Sequence, residues 1–201
     1  APAIQIGSEF IGAGPAALIL GDNLFYGYDF APHMQSFDAG ALIFGYPVKQ
    51  PGRYGVVEVG TDGEVLSLEE KPINPRSNLA VPGFYVFDES AVERVGALAP
   101  SARGELEITD LNLSYLRNGL LRCVPMPRGA AWLDSGTPES LLEASNFIAT
   151  IEHRQGYKVA CLEEIALDRG MLSTERLVEI VSQMPQASYR EYLETVVLAD
   201  G

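Results

Sequence analysis

Basic residues are scarce in this sequence. It contains 14 lysines and arginines against 27 aspartates and glutamates, which gives a formal net charge of −13. Nucleic-acid binding depends on a diffuse basic surface, so this balance excludes that class of function. The overall field would also repel a nucleoside triphosphate. If the ligand carries phosphate, a few local lysines or arginines, or a metal ion, must therefore hold it.

Long apolar runs and closely spaced cysteines are also lacking. Uninterrupted apolar stretches, such as residues 16–20, fall far short of the ~20 residues that a membrane span needs. No basic segment precedes an apolar run at the N-terminus, so we expect no signal peptide. Cys123 and Cys161 lie far apart and match no metal-ligand spacing. We therefore expect reduced thiols in a cytoplasmic protein without a membrane partner.

The order of the remaining patterns predicts an α/β body. Apolar runs at residues 16–20 and 41–48 suit buried parallel strands. An Asp-Gly turn joins residues 56–59 to 65–68 and predicts a hairpin. A further strand is expected at residues 81–87, broken by a Pro-Gly pair. The body is predicted to extend over residues 1–136.

Beyond residue 136 only helical patterns follow. Thr137 stands ahead of a proline and predicts a helix N-cap. The last predicted helix has one apolar face, formed by Tyr189, Tyr192, Leu193, Val196 and Val197. We expect residues 137–201 to form a helical region that packs on the core and supports contacts between subunits.

Two aspartates stand where predicted strands end. Asp22 follows the apolar run at residues 16–20, and Asp134 ends a second run ahead of the capped helix. Ligands of open α/β sheets bind beyond the carboxyl ends of strands, and Mg²⁺ takes one or two carboxylates together with phosphate oxygens. The pair could share one magnesium ion across the sheet edge. Alternatively, Asp22 forms only a turn and Asp134 only a helix cap.

Glu70 and Lys71 end the predicted hairpin. Strand alternation places them on opposite faces unless the strand bends, and Pro72 favours an extended Lys71. Lys71 could reach a phosphate as a point charge, while Glu70 could accept hydrogen bonds from sugar hydroxyls. A solvated, charged hairpin end is the alternative.

Two further segments offer candidate ligand contacts. Arg103, in a loop before a predicted helix, carries a planar donor fork that suits phosphate. Gly55, after Arg53 and Tyr54, would let a ligand approach the backbone. A surface turn and a plain strand start are the respective alternatives.

Taken in order, these segments are similar to one enzyme family. The chain resembles glucose-1-phosphate thymidylyltransferases through the motifs LGDN, RYGVVE, EEKP, AVPGFYVFD, RGELEITDLN, WLDSGT and EHRQGYKVACLEEIALDRG. The EEKP and WLDSGT motifs are shared with other sugar-nucleotide pyrophosphorylases, whereas the C-terminal motif favours the thymidylyl branch. The resemblance covers nearly the whole chain and implies a Rossmann-like three-layer α/β/α nucleotidyltransferase fold, usually assembled as a homotetramer.

The resemblance also implies roles for individual residues. Asp22 and Asp134 match the magnesium-binding aspartates, with Asn23 beside the first. Lys71 and Arg103 match the catalytic cations that contact the sugar phosphate. The positions that match hexose contacts or line the same pocket are Tyr54, Gly55, Glu70, Val81 and Trp132. The implied reaction joins dTTP and glucose 1-phosphate to give dTDP-glucose and pyrophosphate with Mg²⁺.

One feature of the resembling family does not occur in the sequence. Those enzymes begin with a GxGTRLxP-type loop whose backbone amides hold the triphosphate, and nothing like it is present. We expect the sequence to omit such a segment; the alternative is that the chain is a fragment of such an enzyme. We also expect these 201 residues alone not to catalyse transfer. Because the base would be recognised there, a pyrophosphorylase for another nucleotide or sugar remains open, as does a non-catalytic sugar-nucleotide-binding subunit.

Overall fold

The computed structural model describes residues 1–101 and 104–198, with the side chain of Val196 left out. The chain divides into two compact units, Ala1–Ser135 and Gly136–Gly201. The first unit is a mixed α/β fold around a central sheet, as the sequence predicts. Among the helices of the described ranges, none is both long enough and apolar enough to cross a lipid bilayer.

The first unit contains both strands and helices, in mixed order along the chain. The strands are β1 (Ala16–Ile19), β2 (Asn23–Tyr26), β3 (Ala41–Pro47), β4 (Gly55–Val59), β5 (Val65–Glu70), β6 (Leu79–Ala80), β7 (Phe84–Phe87), β8 (Leu121–Pro125) and β9 (Ala131–Asp134). The helices are α1 (Pro2–Ile6), α2 (Ser8–Ile11), α3 (Ala31–Gln35), α4 (Ala91–Gly96) and α5 (Ile108–Leu116), with a 3₁₀ turn at Pro51–Arg53.

Strand β3 forms the centre of the sheet and is buried on both faces. Ala41 and Ile43 pack with α4 and α5 in one core. Leu42 and Phe44 face a second core, rich in aromatic side chains, that contains residues of β2 and the segment around Phe30. The unbroken apolar run of β3 follows from this double burial. Helices α4 and α5 therefore cover one face of β3. The β-ribbon of β2 and β9, together with the short helix α3, lies on the other face.

The expectation of buried parallel strands is correct only for one pair. β3 runs parallel to β8, but it is antiparallel to β6 and β7. β1 pairs antiparallel with β7 and alternates in exposure, with Ile19 57% exposed. A five-residue apolar run does not by itself distinguish a buried strand from a half-exposed one, and this is why the prediction fails at β1.

The sheet divides around one interrupted strand. β6 and β7 lie end to end along the same edge of β3, with Val81, Pro82 and Gly83 between them. On its other side β7 pairs with β1, whereas β6 pairs with β4. The Pro-Gly break predicted from the sequence is therefore the point where two arms of the sheet diverge.

The second unit consists of helices α6 (Pro138–Gln155), α7 (Leu162–Asp168), α8 (Thr174–Gln183) and α9 (Ser188–Tyr192), the last continuing as a π-helical turn at Leu193–Val197. Thr137 caps α6 as predicted, because its Oγ1 accepts a hydrogen bond from the Ser140 backbone N–H at 3.1 Å. The core of this unit is formed by Cys161, Leu177, Val181, Tyr192, Leu193 and Val197.

The apolar face of the last helix is buried inside its own unit. Tyr192 is 7% exposed and Leu193 is fully buried. The Tyr192 hydroxyl donates to Glu164 at 2.8 Å. Tyr192, Leu193 and Val197 thus pack within their own unit, and a contact of this helix with a neighbouring subunit stays a prediction.

Candidate active site

A cavity of about 280 Å³ opens between the two diverging arms of the sheet. We call it the fork cavity. One wall comes from the end of β1 and from Gly83 in the strand break, and the other from Gly55 at the start of β4. A Cβ on Gly83 would lie 2.8 Å from Leu20 Cγ and from Asn23 Nδ2. Because real Cβ atoms do not approach so closely, glycine at this position lets those side chains pack across the break.

Asn23 ties the mouth of the fork cavity together. Its Oδ1 accepts hydrogen bonds from the Gly83 N–H at 2.9 Å and from the Trp132 indole N–H at 2.6 Å. Its Nδ2 donates to Asp22 Oδ1 at 2.7 Å. Asn23 therefore joins the strand break, the indole and the Asp22 carboxylate. Because the amide satisfies three groups at once, it fixes the orientation of Asp22.

Asp22 and Asp134 both line the fork cavity. Asn23, the neighbour of Asp22, is the direct cross-strand partner of Asp134 in the β2–β9 ribbon. The Ser135 N–H donates to the Asp22 carbonyl at 2.8 Å, which closes the end of this ribbon. Asp22 lies in the turn before β2, outside the regular pleat, so it can face the same space as Asp134. Both aspartates thus lie at the same end of the β2–β9 ribbon.

The donor set at this position suits one hard cation. Two carboxylates leave room for phosphate oxygens and water, which is the ligand set that Mg²⁺ prefers. Within residues 1–101 and 104–198, no group of three or more His, Cys, Asp or Glu side chains is placed to hold a metal ion. A cation bound by Asp22 and Asp134 would thus need phosphate oxygens of a bound ligand, or water, to complete its coordination.

Glu70 and Lys71 face the fork cavity together, because the chain turns sharply between them. Lys71 has φ = +43°, in the left-handed region, so the expectation of an extended Lys71 is wrong. The Lys71 N–H still donates to the Tyr54 carbonyl at 3.0 Å. This turn cancels the strand alternation that would have placed the two side chains on opposite faces. A non-glycine residue in this region costs of order 1–3 kcal/mol, and such positions cluster at functional sites.

Glu70 is held by a side chain from the facing helix. It pairs with Gly55 across the β4–β5 ladder, and its Oε2 accepts a hydrogen bond from Thr109 Oγ1 at 2.5 Å. The Thr109 side chain is buried. This contact orients the Glu70 carboxylate, which also lines the fork cavity.

The other predicted site residues also line the fork cavity. Tyr54 packs edge-on against Trp132 with ring centroids 5.0 Å apart. The Val81 N–H donates to the Gly55 carbonyl at 2.8 Å. The structure thus brings together every predicted site residue except Arg103, which lies outside the described residues.

Sequence reasoning missed the helical side of the cavity. Ile108, Thr109 and Asn112 of α5 all face it, as does Tyr85 of β7. The signal was present in the RGELEITDLN motif, where positions 109 and 112 are three residues apart and share a helix face. The sequence analysis assigns a ligand contact only to the arginine of this motif and none to the helix positions that follow it.

The pKa of the Tyr85 phenol is shifted by its surroundings in the cavity wall. Burial raises the pKa of this phenol, and the negative charges of Glu70 and Asp22 raise it further. The hydroxyl is therefore protonated at neutral pH and is able to donate a hydrogen bond. Among the described lining residues, the carboxylates are Asp22, Glu70 and Asp134, and the cations are Arg53 and Lys71. Without a bound metal ion, this part of the cavity is net negative.

The first unit thus combines a two-armed α/β sheet with a polar cavity that is lined by three carboxylates and two cations among the described residues. Residues 1–151 match the family described as nucleotidyl transferase. The chain belongs to this nucleotidyl transferase family.

The chain is similar to curated glucose-1-phosphate thymidylyltransferases. A glucose-1-phosphate thymidylyltransferase of Actinoplanes is 47% identical over 195 residues, covering 96% of this chain and 64% of the relative. This confirms the resemblance predicted from the motifs. The chain spans 64–66% of the length of the curated relatives first matched.

Solved structures agree with this placement. A Bacillus anthracis protein described as a glucose-1-phosphate thymidylyltransferase, solved with sucrose, superposes with a TM-score of 0.67 at 37% identity, covering 73% of this chain and 59% of that one. A UDP-glucose pyrophosphorylase bound to UDP-glucose gives 0.65 at 26% identity, covering 74% and 61%.

Proposed function

We propose that this chain provides the hexose-phosphate side of an enzyme that transfers a thymidylyl group from dTTP to glucose 1-phosphate. The observation that carries the proposal is the left-handed turn at Lys71, which places Glu70 and Lys71 in one cavity with the aspartate pair. The 47% identity to a glucose-1-phosphate thymidylyltransferase supports the choice of substrates.

In the proposed reaction a phosphate oxygen of glucose 1-phosphate attacks the α-phosphorus of dTTP, and pyrophosphate leaves. The hexose would lie over Gly55 with its hydroxyls donating to Glu70, which Thr109 holds in place. Lys71 would contact the sugar phosphate as a point charge, together with Arg103 as the resemblance implies. These residues position the nucleophile and reduce repulsion between two anionic reactants, which is the main protein contribution to such transfers.

Mg²⁺ is the proposed cofactor. Asp22 and Asp134 would hold it, with Asn23 orienting the first carboxylate. When bound, the ion would neutralise phosphate charge at the reacting centre. The net-negative lining of the fork cavity supports a role for a cation, since phosphate would otherwise face an unfavourable field.

Substituting Lys71 tests the sugar-phosphate assignment. Lys71→Met removes the charge and keeps the aliphatic stem. Because a charged hydrogen bond contributes ~1.5–3 kcal/mol and Lys71 is exposed, we expect about tenfold weaker binding of glucose 1-phosphate by isothermal titration. Lys49→Met, an exposed lysine that does not line the cavity, is the matched control. Equal affinity of Lys71→Met and wild type would refute the assignment.

The nucleotide is the second part of the test. The UDP-glucose pyrophosphorylase similarity makes UTP the specific rival to dTTP, although at 26% rather than 47% identity. Pyrophosphate release would be measured with each triphosphate, glucose 1-phosphate and Mg²⁺, using the chain joined to the part of the Actinoplanes relative that it does not match and, separately, the 201 residues alone. We expect release only from the joined protein. Equal release by both would contradict the need for a separate triphosphate loop.

We further propose a homotetramer in the cytoplasm. Leu141 and Leu142 on α6 are 54% and 61% exposed, which supports a subunit contact on that helix. Both cysteines are unpaired and buried, which suits a reducing compartment. Light scattering should give four subunits, and a monomer at micromolar concentration would contradict the assembly.

A further inference from the structure

Asn112 carries an unusual polar group. It lies on α5 one turn after Ile108, lines the fork cavity and is only 1% exposed. Its Oδ1 is fully buried and accepts no hydrogen bond within the described residues. Thr109, on the same helix face, is by contrast satisfied by Glu70. Asn112 is thus a buried amide at the wall of the cavity without an acceptor contact.

Such a group is unfavourable for folding. A buried polar atom without a partner loses its hydration and gains nothing in return, and an apolar side chain of similar size would fit with less penalty. Nearly all buried polar atoms in proteins find partners, so each exception needs a reason. A ligand that completes the amide on binding supplies this reason.

The position of Asn112 selects the part of the ligand that it would contact. Its neighbours in the cavity are the buried Leu68, Val81 and Tyr85, whereas Asp22 and Lys71 are exposed. The phosphate-binding and metal-binding groups are therefore at the open side, and Asn112 belongs to the inner wall. A phosphate would find no cation there among the described residues, but a sugar hydroxyl would find a polar partner.

We infer that the Asn112 amide is a specificity-determining contact for one ring hydroxyl of the hexose. This inference rests on the proposed sugar-phosphate function and names a recognition element of the same site. A hydroxyl both donates and accepts, so it pairs with the amide whether the oxygen or the nitrogen faces the cavity. Tyr85 is buried in the lining of the same cavity and, because burial and the charges of Glu70 and Asp22 raise its pKa, keeps its proton and offers a further donor to the hexose.

The experiment compares Asn112→Leu with wild type. The leucine keeps the branching and the number of side-chain heavy atoms and removes both hydrogen-bonding groups. Binding of glucose 1-phosphate and of its 2-, 3-, 4- and 6-deoxy analogues would be measured by isothermal titration, and the melting temperature by calorimetry. Asn118→Leu, an exposed position at the end of the same helix and outside the cavity, is the matched control.

We expect wild type to bind the deoxy analogue that lacks the Asn112-contacting hydroxyl about tenfold more weakly than glucose 1-phosphate, as for loss of one buried hydrogen bond. Asn112→Leu should bind glucose 1-phosphate about tenfold more weakly, should no longer distinguish that one analogue, and should melt at a higher temperature. The control should retain the wild-type preference among the analogues.

Three results would overturn the inference. Unchanged discrimination in Asn112→Leu would show that the amide contacts no hydroxyl. Equal weakening for all ligands with a lower melting temperature would show a structural role only. Failure of wild type to bind glucose 1-phosphate at all would refute the proposed function and the inference with it. The first two results would refute only the inference.

Discussion

Gly55→Ala should separate the stability of the fold from the function of the fork cavity. A Cβ at this position would lie 3.5 Å from Glu70 Oε2, 3.5 Å from Thr109 Oγ1 and 4.0 Å from Val81 Cβ. These are ordinary van der Waals contacts. The φ angle of Gly55 is not positive, so alanine can adopt the same backbone conformation. The folded protein thus accommodates the methyl group without moving its neighbours.

The substitution should change stability and binding in opposite directions. Replacing glycine by alanine at a compatible position stabilises by ~0.4–1 kcal/mol through the unfolded chain. A hexose resting on the Gly55 backbone would, however, have to move outward by about 1.5 Å, the length of one carbon–carbon bond. The displaced hexose would lose a hydrogen bond to the Glu70 carboxylate, and such a bond to a charged group contributes ~1.5–3 kcal/mol. We expect affinity for glucose 1-phosphate to fall about 10- to 100-fold.

Urea unfolding and isothermal titration of the same samples test this prediction. Gly96→Ala is the matched control, because its Cβ would meet nothing within 4 Å and its φ is not positive. The control should gain similar stability and bind as wild type does. Wild-type affinity in a stable Gly55→Ala protein would show that the hexose does not lie over Gly55, and the proposed orientation would be wrong.

Two further predictions concern carboxylates. Burial alone would raise the pKa of Asp88, but hydrogen bonds from Ser90, Gly40 and Tyr115 lower it below its ordinary value of 3.8. Asp88→Asn should therefore lose about 1–3 kcal/mol at pH 7, and its difference from wild type in urea unfolding should narrow as pH falls below ~4; a difference independent of pH would contradict this. Asp134→Asn should bind glucose 1-phosphate about tenfold more weakly than wild type with Mg²⁺ and more tightly without it, by titration in each buffer.

The sequence predicts the elements of the fold better than their pairing. The β4–β5 hairpin follows from its Asp-Gly turn, and the helix after Thr137 follows from its cap, because both signals are local. The antiparallel pairing of β1 with β7 depends on residues about 70 positions apart, as in Ala16 with Phe87. No local pattern contains that register, so the expectation of parallel strands had only the apolar run to support it.

The candidate site shows the same contrast between what local sequence patterns predict and what depends on tertiary packing. Glu70 and Lys71 could be named from charge and motif, but their shared orientation depends on the φ of Lys71, which Pro72 by itself does not favour. The spacing of Thr109 and Asn112 indicates a shared helix face, but the burial of Asn112 could not be predicted, because an asparagine within a helix is commonly a solvated residue. Only the packing of α5 against the broken strand shows that its amide is buried.

The sign reversal expected for Asp134→Asn follows from the charges around the fork cavity. The described lining carries Asp22, Glu70 and Asp134 against Arg53 and Lys71, which leaves it net negative when no metal ion is bound. In that state each carboxylate repels a sugar phosphate, so neutralising Asp134 should help binding. A divalent cation between Asp22 and Asp134 would cancel their charge and attract the phosphate, so removing one ligand should then hinder binding. A purely structural Asp134 would weaken binding equally in both conditions, and that result would remove the aspartate pair from the proposed site.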